Sequence, residues 1–122
     1  MGKESEVLKD RTRGFALRIV SMYRALPRTE EARIIGKQVL RSGTSIGANY
    51  RAACRARSRA EFVAKLGIVL EESDETAFWL DLLRDAGIFP EAKLRDLTRE
   101  ANELVSIFVA SMRTAKGFNS AI

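Results

Sequence analysis

Apolar and small residues recur along this chain at alternating spacings of four and three, and no stretch keeps the two-residue alternation of a half-buried strand. The first stripe is Leu8, Thr12, Phe15, Ile19, Met22 and Leu26, which predicts a helix over about residues 7–26 that Pro27 ends. The second is Ala32, Gly36, Val39, Gly43, Ile46, Tyr50 and Ala53, on a predicted helix over about 30–55 with Thr29 as its N-cap. Ser58-Arg-Ala-Glu61 reads as a capping box opening a third helix, about 59–86. Its stripe is Phe62, Leu66, Val69, Ser73, Thr76, Leu80 and Leu83, and Gly87 closes it. Pro90 suits the first turn of a fourth helix, about 91–115, carrying Leu94, Leu97, Ala101, Leu104, Phe108 and Ser111 inward, with Gly117 marking a frayed tail. The connections are short, so successive helices should run antiparallel. The pattern predicts an all-α, antiparallel up-down-up-down four-helix bundle, one domain over residues 1–122, without internal repeat or linker.

The second helix contains a run rich in small residues, Gln38 to Tyr50, in which Gly43 and Gly47 stand four apart. Each glycine costs up to about 1 kcal/mol of helix propensity relative to alanine. A helix accepts that where its backbone must come very close to another helix or to a polymer, and tight helix packing is the simpler of the two. A phosphate-cradling loop does not fit, because no strand precedes the glycines and no Lys-Ser/Thr follows them. Ser42 and Asn49 flank the core as expected buried hydrogen-bonding groups.

Composition excludes several classes. The 122 residues, 46% of them hydrophobic, can build one core and do not describe a disordered chain. No apolar run reaches the roughly 18 residues of a membrane span, and the charged start leads into no export-type segment. A single cysteine, Cys54, rules out a disulfide framework, lies near the inward face as a buried thiol, and suits a reducing cytoplasm. Histidine is absent, which removes the commonest general base and metal ligand. A di-metal carboxylate bundle would need Glu-x-x-His motifs, and the chain has none. No catalytic residue, metal ligand or cofactor is therefore expected.

Charge points instead to a surface. Residues 1–57 hold 13 Lys/Arg against 5 Asp/Glu, a balance of +8, and residues 58–122 hold 8 against 11, a balance of −3, within a whole-chain net charge of +5. Positions 18 apart on a helix lie on one line, because about five whole turns separate them. Arg33, Lys37 and Arg41 therefore align with Arg51, Arg55 and, where the helix extends so far, Arg59. The row lies opposite the inward stripe, interrupted only by Thr44 and Ala48. It can be a solvated outer face, a contact for successive phosphates of a nucleic acid, or a surface for an acidic protein. The third helix carries a second, outward group, Ile68, Glu72, Glu75, Phe78, Trp79 and Leu82. A face holding tryptophan and aliphatic residues calls for a cover, and self-association is the simplest one. Glu72 and Glu75 could form an acid/base pair, or anchor arginines of a neighbouring subunit.

Several segments carry a resemblance. They are Asp10-Arg-Thr with Phe15-Ala-Leu, Leu40-Arg-Ser-Gly-Thr-Ser-Ile-Gly-Ala-Asn-Tyr-Arg-Ala52, Ser58 with Glu61-Phe, Lys65-Leu-Gly-Ile, and Glu72, Glu75-Thr and Trp79-Leu. Over about residues 6–115 they resemble the bacterial four-helix-bundle proteins encoded within intervening sequences of the 23S ribosomal RNA gene. That family is related to the accessory variability determinant of diversity-generating retroelements, a basic protein that assists a reverse transcriptase and binds nucleic acid. The resemblance implies a homopentamer around a central channel, an accessory role with RNA or DNA, a reverse transcriptase as an alternative partner, and no catalytic residues. Ala52-Ala53 departs from the pattern, since many relatives carry a glutamate near the end of that helix, and leaves this surface more basic.

Overall fold

Nearly every position of the four stripes becomes buried in the computed structural model, which describes residues 2–117. The helices are α1 (Lys3–Ala25), α2 (Glu30–Cys54), α3 (Arg59–Asp85) and α4 (Glu91–Lys116), and there is no strand among the described residues. Helix α1 starts four residues before the first apolar position. Its opening turn carries charge and no apolar inward residue, only the small buried Ser5, so apolar periodicity is silent there, yet Glu4 and Glu6 favour the positive end of a helix. Thr29 Oγ1 accepts from the Ala32 amide at 3.2 Å and Ser58 Oγ from the Glu61 amide at 3.0 Å. The Glu61 carboxylate accepts from the Arg57 amide at 2.7 Å, one residue before the amide that a reciprocal capping box would use. Pro90 is the N-cap of α4, and Gly87 and Gly117 end α3 and α4 at left-handed φ of 71° and 75°.

Neighbours in sequence pack as antiparallel neighbours in space. Along α1 and α2 the facing positions run in opposite directions, with Gly36 against Tyr23 and Leu26, Gly43 against Ile19, and Gly47 against Thr12. Along α3 and α4, Arg59 reaches the Ala115 carbonyl while Gly67 faces Met112. Phe15, Ile19, Val39, Ile46, Leu66, Leu80, Leu104 and Phe108 fill the interior, and the Tyr50 and Phe108 rings lie 5.4 Å apart in a tilted pair. Phe89, in the α3–α4 connection and outside any stripe, is buried as well and plugs that end of the bundle. Ser73 Oγ is satisfied locally by the Val69 carbonyl at 2.8 Å and Ser42 and Thr76 pair across the α2–α3 boundary at 2.9 Å, whereas the buried Thr98 hydroxyl has no partner among the described residues. Asn49 and Cys54 are only half-buried; Asn49 Nδ2 donates to the Ser45 carbonyl at 2.9 Å.

The fourth seam differs from the other three. Helices α1 and α4 touch little, and Arg11 bridges them, with Nε 2.6 Å from Glu100 and Nη2 2.7 Å from Glu103. Beside that bridge an apolar groove of about 820 Å³ stays open between Val7, Leu8, Phe62 and Ile107.

Candidate nucleic-acid interface

The close approach of α1 and α2 shapes a basic groove on their outer side. A Cβ on Gly43 would stand 2.9 Å from Ile19 Cγ1, and one on Gly47 would stand 3.4 Å from Thr12 backbone atoms. Gly43 therefore lets the Ile19 side chain seat against the α2 backbone, and at Gly47 the α1 backbone comes within van der Waals reach of a Cβ. Outside that seam, Thr44 and Ala48, the two small residues that interrupt the arginine row, lie in a groove of about 440 Å³. Lys9 and Arg13 of α1 and Arg51 and Arg55 of α2 line it, with Glu6 and Asp10 as its acidic members. Lys9 pairs with Glu6 at 2.8 Å, whereas Arg13, Arg51 and Arg55 have no ion pair or side-chain hydrogen bond among the described residues. The Thr44 hydroxyl is occupied by the Leu40 carbonyl at 2.7 Å. What the groove offers is guanidinium groups ready to take phosphate oxygens in bidentate geometry.

The row read from the sequence is divided by its neighbours. Arg33, Lys37, Arg51 and Arg55 are exposed and unpaired among the described residues. Arg41 instead reaches over to α3, where its guanidinium meets Glu75 and lies 3.3 Å from both Glu72 oxygens. Arg59 Nε donates to the Ala115 carbonyl at 2.7 Å, covering an orphan acceptor at the end of α4. Helical spacing gives the azimuth of each arginine about its own axis but not what stands opposite, so Arg41 and Arg59 leave the open row. Arg13 joins it unannounced, although its four-residue spacing from Lys9 on α1 is a signal of the same kind.

On α3 the Glu72–Glu75 pair finds its arginine within the same chain. Glu75 Oε2 also accepts from Trp79 Nε1 at 2.9 Å, and Phe78 packs edge-on against Trp79 at 4.9 Å. Trp79 is half-buried against the core, while Phe78 and Ile68 remain 57% and 38% exposed. The apolar part of this face open to a partner is thus Phe78 with Ile68, and the carboxylates are held in a network rather than poised for acid/base chemistry. The Trp79 N–H, followed by the Arg41 guanidinium, holds the Glu75 carboxyl below its ordinary range. A depressed folded value means stability that is present above the ordinary carboxylate range and lost as pH falls through the folded one. Melts of the wild type and Glu75→Gln should therefore differ most near about pH 7, and the gap should shrink as the pH falls below the ordinary carboxylate range. A gap that stays constant with pH would remove this ion pair from the account.

Tyr50 and Cys54, one turn apart at the end of α2, form a contact in which burial first, and the thiol second, pushes the phenol pKa up. No three His, Cys, Asp or Glu side chains among the described residues converge as a metal site would require. No helix among the described residues is long and apolar enough to cross a membrane.

Comparison with known proteins agrees with the four-helix architecture. A protein of unknown function from the S23 ribosomal protein family of Bacteroides thetaiotaomicron, solved by crystallography, superposes with a TM-score of 0.82 at 38% identity. The match covers 89% of this chain and 97% of that one. No curated protein matches significantly. The profile of the 23S rRNA-intervening sequence proteins matches residues 3–110, almost the whole of the four helices, and the chain belongs to that family.

Proposed function

We propose that this protein is a non-enzymatic accessory protein that binds structured RNA through the basic face of α1 and α2, and that it works as a homo-oligomer, a pentamer, in the cytoplasm. The observation that carries the reading is the groove in which Arg13, Arg51 and Arg55 stand unpaired side by side, where Arg11, Arg41, Arg84 and Arg95 are each tied to carboxylates. Unneutralised guanidinium groups on an accessible groove release counterions when they meet phosphates, and that term supplies most non-specific nucleic-acid affinity. The family's name adds support by linking its members to intervening sequences of 23S rRNA. An oligomer repeats the face around its axis and raises avidity through effective concentration. A second reading, a structural scaffold that holds another protein such as a reverse transcriptase, draws on the exposed Phe78 and Ile68.

Binding of structured RNA and duplex DNA across a salt series separates the two. Removing one cation–phosphate pair lowers the slope of log affinity against log salt by about 0.7–0.9, so Arg51→Ala/Arg55→Ala should flatten it by about 1.4–1.8. The same variant should weaken RNA and DNA alike and keep the wild-type mass. No detectable nucleic-acid binding by the wild type, together with loss of assembly in the variant, would assign these arginines to subunit contacts.

A further inference from the structure

Where α1 turns into α2, at the other end of the same seam, lies a hollow of about 720 Å³ lined by Tyr23, Arg24, Leu26, Pro27, Arg28 and Arg33 among others. Its construction follows from the sequence. Pro27 stops α1 and Thr29 caps α2, so Arg24 from the last turn of one helix, Arg28 from the connection and Arg33 from the start of the next gather around one space. No carboxylate lines it; Glu30 and Glu31, the nearest acids in sequence, are exposed outside it. None of the three guanidinium groups has an ion pair or side-chain hydrogen bond among the described residues. The wall is apolar and partly aromatic. A Cβ on Gly36 would stand 2.8 Å from Leu26 Cδ1 and 3.1 and 3.2 Å from two Tyr23 ring carbons. The bare backbone at position 36 is therefore what lets the tyrosine ring settle against α2.

We propose that this elbow seats an unpaired nucleotide of a nucleic-acid strand, its base on Tyr23 and its flanking phosphates on Arg24, Arg28 and Arg33; the proposal rests on the nucleic-acid reading above. Three unpaired guanidinium groups suit phosphates, and an aromatic ring in the same hollow suits the flat face of a base. A continuous duplex keeps its bases stacked inside and presents only backbone here, which leaves the tyrosine unused. The elbow and the groove are also in line. Arg33 and Arg51 are 18 residues apart on one edge of α2, a rise of about 27 Å. At about 3.4 Å per step along one strand, that distance corresponds to roughly eight nucleotides. A strand with an unpaired end in the elbow can thus continue along α2 to Arg51 and Arg55.

Fluorescence anisotropy with a labelled blunt RNA duplex, and with the same duplex carrying a short unpaired overhang, tests the assignment. The wild type should bind the overhang form about fivefold to 150-fold more tightly, the range that stacking of a base on an aromatic side chain provides. Tyr23→Phe should keep the preference and Tyr23→Ala should erase it. Arg28→Glu changes an exposed side chain and should erase it without touching the packing of α1 on α2. Arg51→Ala/Arg55→Ala should weaken both RNAs and leave their ratio intact. Equal wild-type affinity for the two RNAs, or a preference that survives Arg28→Glu and Tyr23→Ala, overturns the elbow site and leaves the groove standing. Absence of binding to either RNA overturns the elbow and the nucleic-acid reading together.

Discussion

Gly43→Leu is expected to lower the unfolding free energy by about 3 kcal/mol or more. A single Cβ at that position already meets Ile19 at 2.9 and 3.0 Å, and Ile19 is wholly buried, so it has nowhere to yield. Leucine adds three further carbons to the same space. The better helix propensity of leucine returns less than about 1 kcal/mol, so overpacking wins. Against a typical total of about 5–15 kcal/mol, the loss is large enough to show as a strongly lowered melting temperature. Gly47→Ala provides the contrast. Its Cβ would meet Thr12 only at 3.4 Å, an ordinary van der Waals contact, so the propensity gain should leave stability unchanged or raise it by up to about 1 kcal/mol. Thermal and denaturant melts of both variants check the pair. Neutral behaviour of Gly43→Leu would mean that α1 does not lie against α2 at this position.

Phe78→Glu is expected to reduce the proposed oligomer to a species near 13.6 kDa, the mass of one chain, with its helical circular dichroism retained. The physical reason is the position of the side chain. Phe78 is 57% exposed, lies outside the hydrophobic core and packs edge-on against Trp79, so a charge there costs little in the monomer. Between subunits the same charge would be buried without a partner, which costs several kcal/mol per ion. Trp79→Ala is a poorer probe, because Trp79 is half-buried against its own core and holds Glu75, so its loss mixes assembly with stability. Light scattering at micromolar concentration decides the matter. A wild type that already runs as a monomer would sink the oligomer, and an oligomer that survives Phe78→Glu would move the interface away from this face. The open apolar groove between α1 and α4 would then be the next surface to substitute, beginning with Val7.

Much of the architecture is legible in the order of residues, and particular positions show why. Thr29 and Ser58 begin helices where their hydroxyls can cap free amides, and Gly87 and Gly117 end them where φ must turn positive. Those are local effects, complete within a few residues of chain. The inward stripes follow from the 3.6-residue period, and glycines at 36, 43 and 47 recur on one edge of α2, so a seam of close approach is visible as a pattern of missing side chains. Phe89 escaped because it packs from a connection, where no period applies. The first turn of α1 escaped because its helicity rests on charge at the helix end rather than on an apolar position.

The functional surface divides along the same line. The sequence by itself determined that arginines 33, 51 and 55 share one edge of α2, that the first half of the chain is strongly basic, and that the small-residue motif places it in its family. Only the tertiary structure decided which cations are free. Arg41 belongs to the same row, yet Glu72 and Glu75 of α3 stand at its height and take it out. Arg13 lies on another helix, yet the glycine seam brings it beside Arg51 and Arg55. Arg24, Arg28 and Arg33 come from two helices and their connection, and meet only because the turn at Pro27 folds one helix back on the other. A helix period states the direction of each side chain about its own axis. Whether that direction ends in solvent, on a carboxylate or beside another guanidinium depends on the relative height and rotation of packed helices, which are set by side-chain volumes across the whole core.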